Sequence, residues 1–218
     1  EAGYSDSEFD RWATEPMTWS RFAEVISDTM DATDKTGFNW QGAAYEGLSC
    51  CDFIEFMGSH GGSYFGDFDN YFGPIGDRPI TVEEDNVINA IRMMRAFIHG
   101  SSDPEAASGY ANISPEAVVQ YKEESSREPF TNGDVIALRN WPYSININAA
   151  PDVFGDDLGA MPIPYAVTEA DAPYAGVGGT TSALGGWHLT LNPNASPERT
   201  EAAIELFRAL QTDAVRLR

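Results

Sequence analysis

The spacing of apolar residues along the chain predicts long helices separated by short strands. Within residues 19–30, Trp19, Phe22, Ile26 and Met30 recur every three or four positions, which is the period of one helix face. Thr18 precedes them, where a hydroxyl can cap the first turn. The same kind of pattern predicts helices over 45–59 and 82–99, and further helices starting at 114 and at 196.

Short apolar segments predict strands at 37–41, 134–139, 159–164 and 187–191. The sequence Thr-Val-Glu-Glu at 81–84 predicts a capping box for the helix over 82–99. Ser-Pro at 114–115 and at 196–197 predicts two more helix starts, with serine as the N-cap and proline in the first turn. Helices that alternate with short strands predict an α/β fold.

The net charge of the chain limits the classes of partner that it can bind. The chain has 34 acidic and 13 basic side chains and a formal net charge of -21 in 218 residues, and only Lys35 and Lys122 are lysines. Such a field repels phosphate backbones, so a nucleic-acid partner is excluded, and anionic membranes are disfavoured. A dispersed acidic surface with almost no lysine is typical of proteins that stay soluble in concentrated salt, and we expect a halophilic source.

The sequence contains no pattern that indicates a metal, a cofactor or catalysis. Cys50 and Cys51 are adjacent and provide no disulfide framework, and the three histidines do not share a metal-binding motif. No segment of about 18 apolar residues predicts a transmembrane helix. The chain begins and ends in mid-pattern, so we expect it to be a piece of a longer protein.

Two segments are built like ligand-contact loops. Arg139-Asn140-Trp141-Pro142-Tyr143 lies just beyond a predicted strand, and ligands of open α/β sheets collect at the carboxyl ends of strands. Gly185-Gly186-Trp187 places an indole beside backbone that a ligand can approach. Aromatic faces near hydrogen-bonding groups suit sugars. The alternative is that both tryptophans are ordinary core residues.

A third segment, over 40–47, places Tyr45 and Glu46 near the start of a predicted helix. The same alternative applies here. Asn112 and Asn194 each begin an N-glycosylation triplet that ends on a predicted N-cap serine, so we expect both to be exposed.

Four motifs occur in a recognisable order: WQGAAYEGL at 40–48, a glycine pair at 61–62, FTNGDVIALRNWPY at 130–143 and GGWHLTLN at 185–192. Together they resemble extracellular solute-binding proteins of the maltose/trehalose-binding type, the sugar receptors of ABC importers. RNWPY and GGWH carry most of this resemblance, which covers nearly the whole chain. With the acidic composition, it implies a haloarchaeal member of the family.

The resemblance implies an incomplete two-lobed type II periplasmic-binding-protein fold. Residues 1–150 are then expected to form most of the C-terminal lobe, and residues 151–218 a return segment that contributes to the N-terminal lobe. Trp141 and Tyr143 are expected to stack on or flank the sugar, with Gly186 and Trp187 approaching from across the hinge. Tyr45 and Glu46 are further expected contacts.

The family role implies a monomeric, non-enzymatic, cell-surface receptor, membrane-anchored in its full-length form. It would capture a maltose- or trehalose-like sugar without a cofactor and deliver it to an ABC importer permease. Two alternatives stay open from the residues themselves. The chain could be a fragment of a carbohydrate-active enzyme such as a glycoside hydrolase, or a surface interaction domain without a small ligand.

Overall fold

The structure is a computed structural model that describes residues 2–186 and 188–216. The chain forms two compact units, Glu1–Ala183 and Leu184–Arg218. Within the described residues of the first unit, the α-helices are Asp6–Trp12 (α1), Trp19–Thr33 (α2), Phe53–Ser59 (α3), Asp85–His99 (α4), Glu123–Thr131 (α5) and Tyr143–Asn148 (α6). The second unit holds Pro197–Leu210 (α7) and Asp213–Arg216 (α8).

The first unit is built on a pair of parallel strands, Thr36–Asn39 (β1) and Val135–Leu138 (β2). Phe38 of β1 lies opposite Ala137 of β2. Parallel strands need a long crossover connection, and here the crossover contains α3, α4 and α5. Both strands lie where the apolar pattern predicted them, and the α/β class is confirmed.

The core of the first unit consists of aromatic side chains packed between the helices and β1. Trp19 contacts Phe56 of α3, with ring centroids 5.1 Å apart, and Phe22 meets Phe38 edge-to-face at 5.0 Å. Phe97 of α4 packs against Trp19 and Phe38 in this core and is fully buried. Because the Trp19 indole is also buried, its Nε1–H needs a partner and donates to Ser59 Oγ at 2.9 Å.

The first unit extends beyond the boundary that we expected at residue 150. Tyr165 pairs with the entry to α2, because its N–H donates to Met17 O and its carbonyl accepts from Trp19 N–H. Farther along, Gly178 N–H donates to Gly58 O at 2.8 Å. The assignment of 1–150 and 151–218 to two lobes stays a prediction.

The predicted helices with the clearest apolar faces are confirmed. The helix over 19–30 becomes α2, and Thr18 Oγ1 accepts from Arg21 N–H as an N-cap. In the second unit, Ser196 caps α7 in the same way by accepting from Arg199 N–H.

The capping box predicted at residues 81–84 is wrong. The helix begins at Asp85, with Glu84 as its N-cap. Thr81 instead uses its hydroxyl in a buried tertiary contact: Oγ1 donates to Ser63 O at 2.6 Å and accepts from Gly66 N–H at 3.0 Å.

Ser114 is also not an N-cap. Pro115 opens a 3-10 turn, Glu116–Gln120, without a side-chain cap. Ser114 is buried, and its Oγ accepts from the Trp40 Nε1–H at 3.1 Å. The predicted exposure of Asn112 and Asn194 is confirmed.

The helix predicted over 45–59 is not a regular α-helix in its first half. Leu48–Asp52 is π-helical, and regular α-helix begins only at Phe53. Cys50 and Cys51 lie in this π-helical segment as free thiols. The strands predicted at 159–164 and 187–191 are not found in the described part of the chain, since residues 159–164 and 188–191 have no regular secondary structure. Trp187 lies outside the described residues.

The helix predicted to start at residue 196 is confirmed as α7, but its leucines are not buried. Leu206 is 55% exposed and Leu210 40% exposed. A helix of this kind needs a second layer for burial, and the described part of Leu184–Arg218 contains only one other helix, α8. None of the described helices is both long and apolar enough to cross a membrane.

We predict that Gly37→Ala destabilises the first unit. A Cβ on Gly37 would lie 2.4 Å from the Ile113 carbonyl oxygen and 2.7 Å from Ile26 Cγ2. Overpacking of this kind costs about 1–3 kcal/mol, which urea unfolding would measure. Gly76→Ala is the control, because nothing lies within 4 Å of its added methyl. Equal stability of the two variants would contradict the packing described for β1.

Candidate functional site

Three of the predicted site residues surround the first turn of α5. The Tyr45 hydroxyl donates to Glu123 Oε1 at 2.9 Å, and the Tyr143 hydroxyl donates to Glu124 Oε1 at 2.8 Å. Glu123 and Glu124 are the first two residues of α5, so both phenols are directed to the same helix end. The structure therefore brings Tyr45 and Tyr143 together, although they are far apart in the sequence.

Trp141 joins this group through Asn140. Asn140 Nδ2 donates to the Glu123 carbonyl at 2.9 Å, and Asn140 Oδ1 accepts from the Trp141 N–H at 2.8 Å. The Trp141 side chain is half-buried, as is Tyr45, whereas Tyr143 is 38% exposed. We name Tyr45, Trp141 and Tyr143 the aromatic cluster.

A cation lies over one ring face in two members of the cluster. The Arg139 guanidinium carbon is 4.6 Å from the centre of the Trp141 ring, and Lys122 Nζ is 5.0 Å from the centre of the Tyr45 ring. Such contacts hold a ring in place and occupy one of its faces. A flat ligand can then stack only on the opposite face.

The phenols of the cluster act as hydrogen-bond donors at neutral pH. Burial raises the pKa of Tyr143 to about 12, and its hydrogen bond to Glu124 adds to the effect. Burial, followed by the hydrogen bond to Glu123, also raises the pKa of Tyr45 well above its ordinary value. Arg127, followed by Tyr143, lowers the pKa of Glu124. The candidate site therefore combines the rings of the aromatic cluster with the polar groups of Glu123 and Glu124 at its edge.

A buried ion-pair network lies beneath Trp141. Arg139 binds Glu55 with two hydrogen bonds, Nε to Oε2 at 2.6 Å and Nη2 to Oε1 at 2.7 Å. Its Nη1 donates to Gln41 Oε1 at 2.7 Å. Gln41 Nε2 in turn donates to the Arg139 carbonyl and to Ser126 Oγ, both at 2.8 Å. We name Arg139, Glu55, Gln41 and Asp52 the arginine network.

Asp52 is the unusual member of the network. It is fully buried and accepts from Gln41 N–H through Oδ2. Oδ1 lies 2.7 Å from Arg139 Nε, but the single hydrogen on Nε is directed to Glu55, so Oδ1 receives no hydrogen bond. Burial raises the pKa of Asp52 to about 8; Arg139 opposes this shift and the Glu55 carboxylate reinforces it.

The other three predicted site residues are Glu46, Gly186 and Trp187. Glu46 is exposed beside Tyr45. Gly186 is exposed and belongs to the second unit, and nothing lies within 4 Å of a Cβ added there. Trp187 lies outside the described residues. The ligand-contact roles of all six residues stay predictions.

Sequence reasoning missed the polar partners of the cluster. Glu123 and Glu124 were not singled out, because acidic side chains are abundant throughout the chain, and Arg139 was included only as the first residue of the predicted contact segment and not as a site residue. A signal was available for Arg139, since it was the only cation in the segment that runs from β2 into Trp141. In the described part of the chain, no group of three or more histidine, cysteine or carboxylate side chains is placed to hold a metal ion.

Comparison with known proteins identifies relatives of the chain. It is 30% identical over 201 residues to a probable ABC transporter-binding protein of Deinococcus radiodurans, a match that covers 89% of this chain and 40% of the relative. No protein-family model matches the chain. The chain therefore spans about two fifths of the length of this curated relative.

The solved structures that match the chain are also solute-binding proteins. A maltose-bound MalE3 of T. maritima matches with a TM-score of 0.72 and 30% identity, covering 93% of this chain and 44% of that one. An ABC transporter solute-binding protein of Thermotoga lettingae bound with α-D-tagatose matches with a TM-score of 0.63 and 23% identity, covering 97% of this chain and 47% of that one; at this identity the match shows the fold alone. The predicted resemblance to the solute-binding proteins of ABC transporters is confirmed, and the chain has part of a type II periplasmic-binding-protein fold. The halophilic, haloarchaeal source stays a prediction.

We predict that Asp52 makes the fold less stable as pH rises. Its folded pKa of about 8 lies above its ordinary value of 3.8, so the folded state keeps a proton that the unfolded state loses. Between about pH 5 and 8, this term should lower the free energy of unfolding by up to about 1.4 kcal/mol per pH unit.

Urea unfolding across this pH range would test the prediction, with Asp52→Asn as the comparison. Concentrated KCl would screen the other carboxylates, whose titration otherwise contributes its own slope. We expect a flatter pH dependence in the variant. Parallel curves for the two proteins would contradict the assignment of the proton to Asp52.

Proposed function

We propose that this chain, a relative of the solute-binding proteins of ABC transporters, is the ligand-gripping part of a sugar receptor. The receptor captures a maltose- or trehalose-like sugar outside the cell and delivers it to an importer permease. The observation that carries the proposal is the convergence of Tyr45, Trp141 and Tyr143 on the first turn of α5. Sugars present C–H faces that stack on such rings and hydroxyls that need polar partners at the rim.

The rim chemistry supports a neutral, polyhydroxylated ligand. Glu123 and Glu124 are acceptors beside the rings, and Lys122 supplies a donor. An anionic ligand would meet two carboxylates here, as well as the overall charge of -21. Gly186 and Trp187 would complete the site from the segment that follows Ala183, as the sequence predicts.

A test on the complete gene product separates this proposal from its alternatives. The protein is incubated with maltose and with trehalose in concentrated KCl, while tryptophan fluorescence and free glucose are followed. We expect a saturable fluorescence change without product, which is the behaviour of a receptor. Release of glucose would instead indicate a carbohydrate-active enzyme. No change in either signal would contradict both and favour an interaction domain.

We predict that Trp141→Ala weakens binding of the preferred sugar about tenfold. Loss of one stacking ring removes about a kcal/mol beyond the loss of buried area, and ~1.4 kcal/mol corresponds to a factor of ten in Kd. Isothermal titration would measure the change. Phe72→Ala is the matched control, because Phe72 is a 76% exposed ring on the separate 3-10 turn Phe68–Phe72. Unchanged affinity in the Trp141 variant would refute its assignment to the site.

A further inference from the structure

Each of the three nitrogens of Arg139 already donates a hydrogen bond to a protein side chain. Glu55 accepts from two of them and Gln41 from the third, and the residue is only 7% exposed. A guanidinium held by a bidentate carboxylate has a fixed plane. The guanidinium carbon of this fixed group lies over the Trp141 ring, 4.6 Å from the ring centre.

Glu55 holds a second part of the chain in addition to Arg139. Its Oε1 accepts from Ala183 N–H at 3.0 Å while also accepting from Arg139 Nη2. Ala183 is the last residue of the first unit, and the segment that carries Gly186 and Trp187 begins directly after it. One carboxylate therefore binds both the guanidinium beside Trp141 and the backbone N–H of Ala183, the last residue of the first unit.

We propose that the Arg139–Glu55 ion pair is a positioning device that sets the orientation of the Trp141 ring and anchors the chain at Ala183. The inference rests on the proposed sugar-binding function and adds a residue pair that acts through other residues. Arg139 covers one face of the indole, so the sugar stacks on the opposite face. Gln41, held by Arg139, connects the same network to the segment that leads to Tyr45.

The physical reason for such a device is the entropy of the ring. An unsupported tryptophan on a loop samples several rotamers, and ordering it on binding costs affinity. A guanidinium held over the indole face limits those rotamers before the ligand arrives. Because the guanidinium is itself fixed by Glu55 and Gln41, the constraint reaches from the buried network to the aromatic cluster.

A double-mutant cycle tests whether Arg139 acts through Trp141. Arg139→Lys keeps the charge but removes the fork and the flat face. We expect this variant to weaken sugar binding about tenfold in the wild-type background and to have less than a twofold effect in the Trp141→Ala background. Arg95→Lys is the matched control, because Arg95 pairs with Asp103 and is largely exposed. Equal losses of affinity in both backgrounds would overturn the proposal.

A spectroscopic readout tests the same point without a sugar. The near-ultraviolet circular dichroism of Trp141 is obtained as the difference between the wild type and Trp141→Phe. We expect Arg139→Lys to reduce this difference signal by at least about half, because a loosely held indole averages its dichroism. An unchanged signal in a folded variant would overturn the proposal. If the wild type bound no sugar at all, the proposed function would fail while this test would still decide the positioning role.

The Ala183 contact has its own test. Glu55→Asp keeps the charge but withdraws the carboxylate by one methylene. We expect hydrogen exchange at the Ala183 amide to become at least about tenfold faster, with no change at the Tyr165 amide, which bonds to Met17 O. Unaltered exchange at Ala183 would remove the anchoring part of the proposal. If Arg139→Lys fails to fold, Glu55→Asp also replaces it in the double-mutant cycle.

Discussion

The first unit depends on the buried positive charge of Arg139, which is tolerated only because each of its nitrogens has a hydrogen-bond partner. Arg139 is removed from water, and the loss of hydration is offset because Glu55 and Gln41 satisfy its nitrogens. Removal of one partner of such a pair typically costs about 3–5 kcal/mol, since the other charge then stays buried and unpaired. The segments that contain Gln41, Glu55 and Arg139 are therefore fixed relative to one another, and the aromatic cluster is built on this fixed base.

The sequence predicted elements well where local periodicity decided them. The apolar face of α2 and both strands of the parallel pair were found because apolar residues at those spacings must face a core. The prediction of helix caps from the sequence failed where a hydroxyl could bond to more than one partner. Thr81 and Ser114 have the right spacing for caps, but Ser63 O and the Trp40 indole N–H compete for them through the tertiary fold. Such competition is not visible in local sequence.

The same distinction explains the site. Trp141 and Tyr143 were identifiable because a proline between two aromatic residues, after a strand, is locally unusual. Glu123 and Glu124 were not, because in a chain with 34 acidic side chains a carboxylate carries no information until its neighbours are known. The raised pKa of Asp52 is a further case, since it follows first from burial and then from the nearby Glu55 carboxylate, which outweigh the opposing effect of Arg139. Long-range geometry decides these properties.

The charge of the chain also bears on the class of ligand that it can serve. A net charge of -21 repels anions in dilute buffer. In the concentrated salt that the composition predicts, the Debye length falls to about 3 Å at 1 M, so cations gain no long-range steering either. Recognition must then rest on contacts that salt does not screen, which are ring stacking and short hydrogen bonds. A neutral sugar uses those contacts, and cations are placed against Tyr45 and Trp141 as supports for the rings.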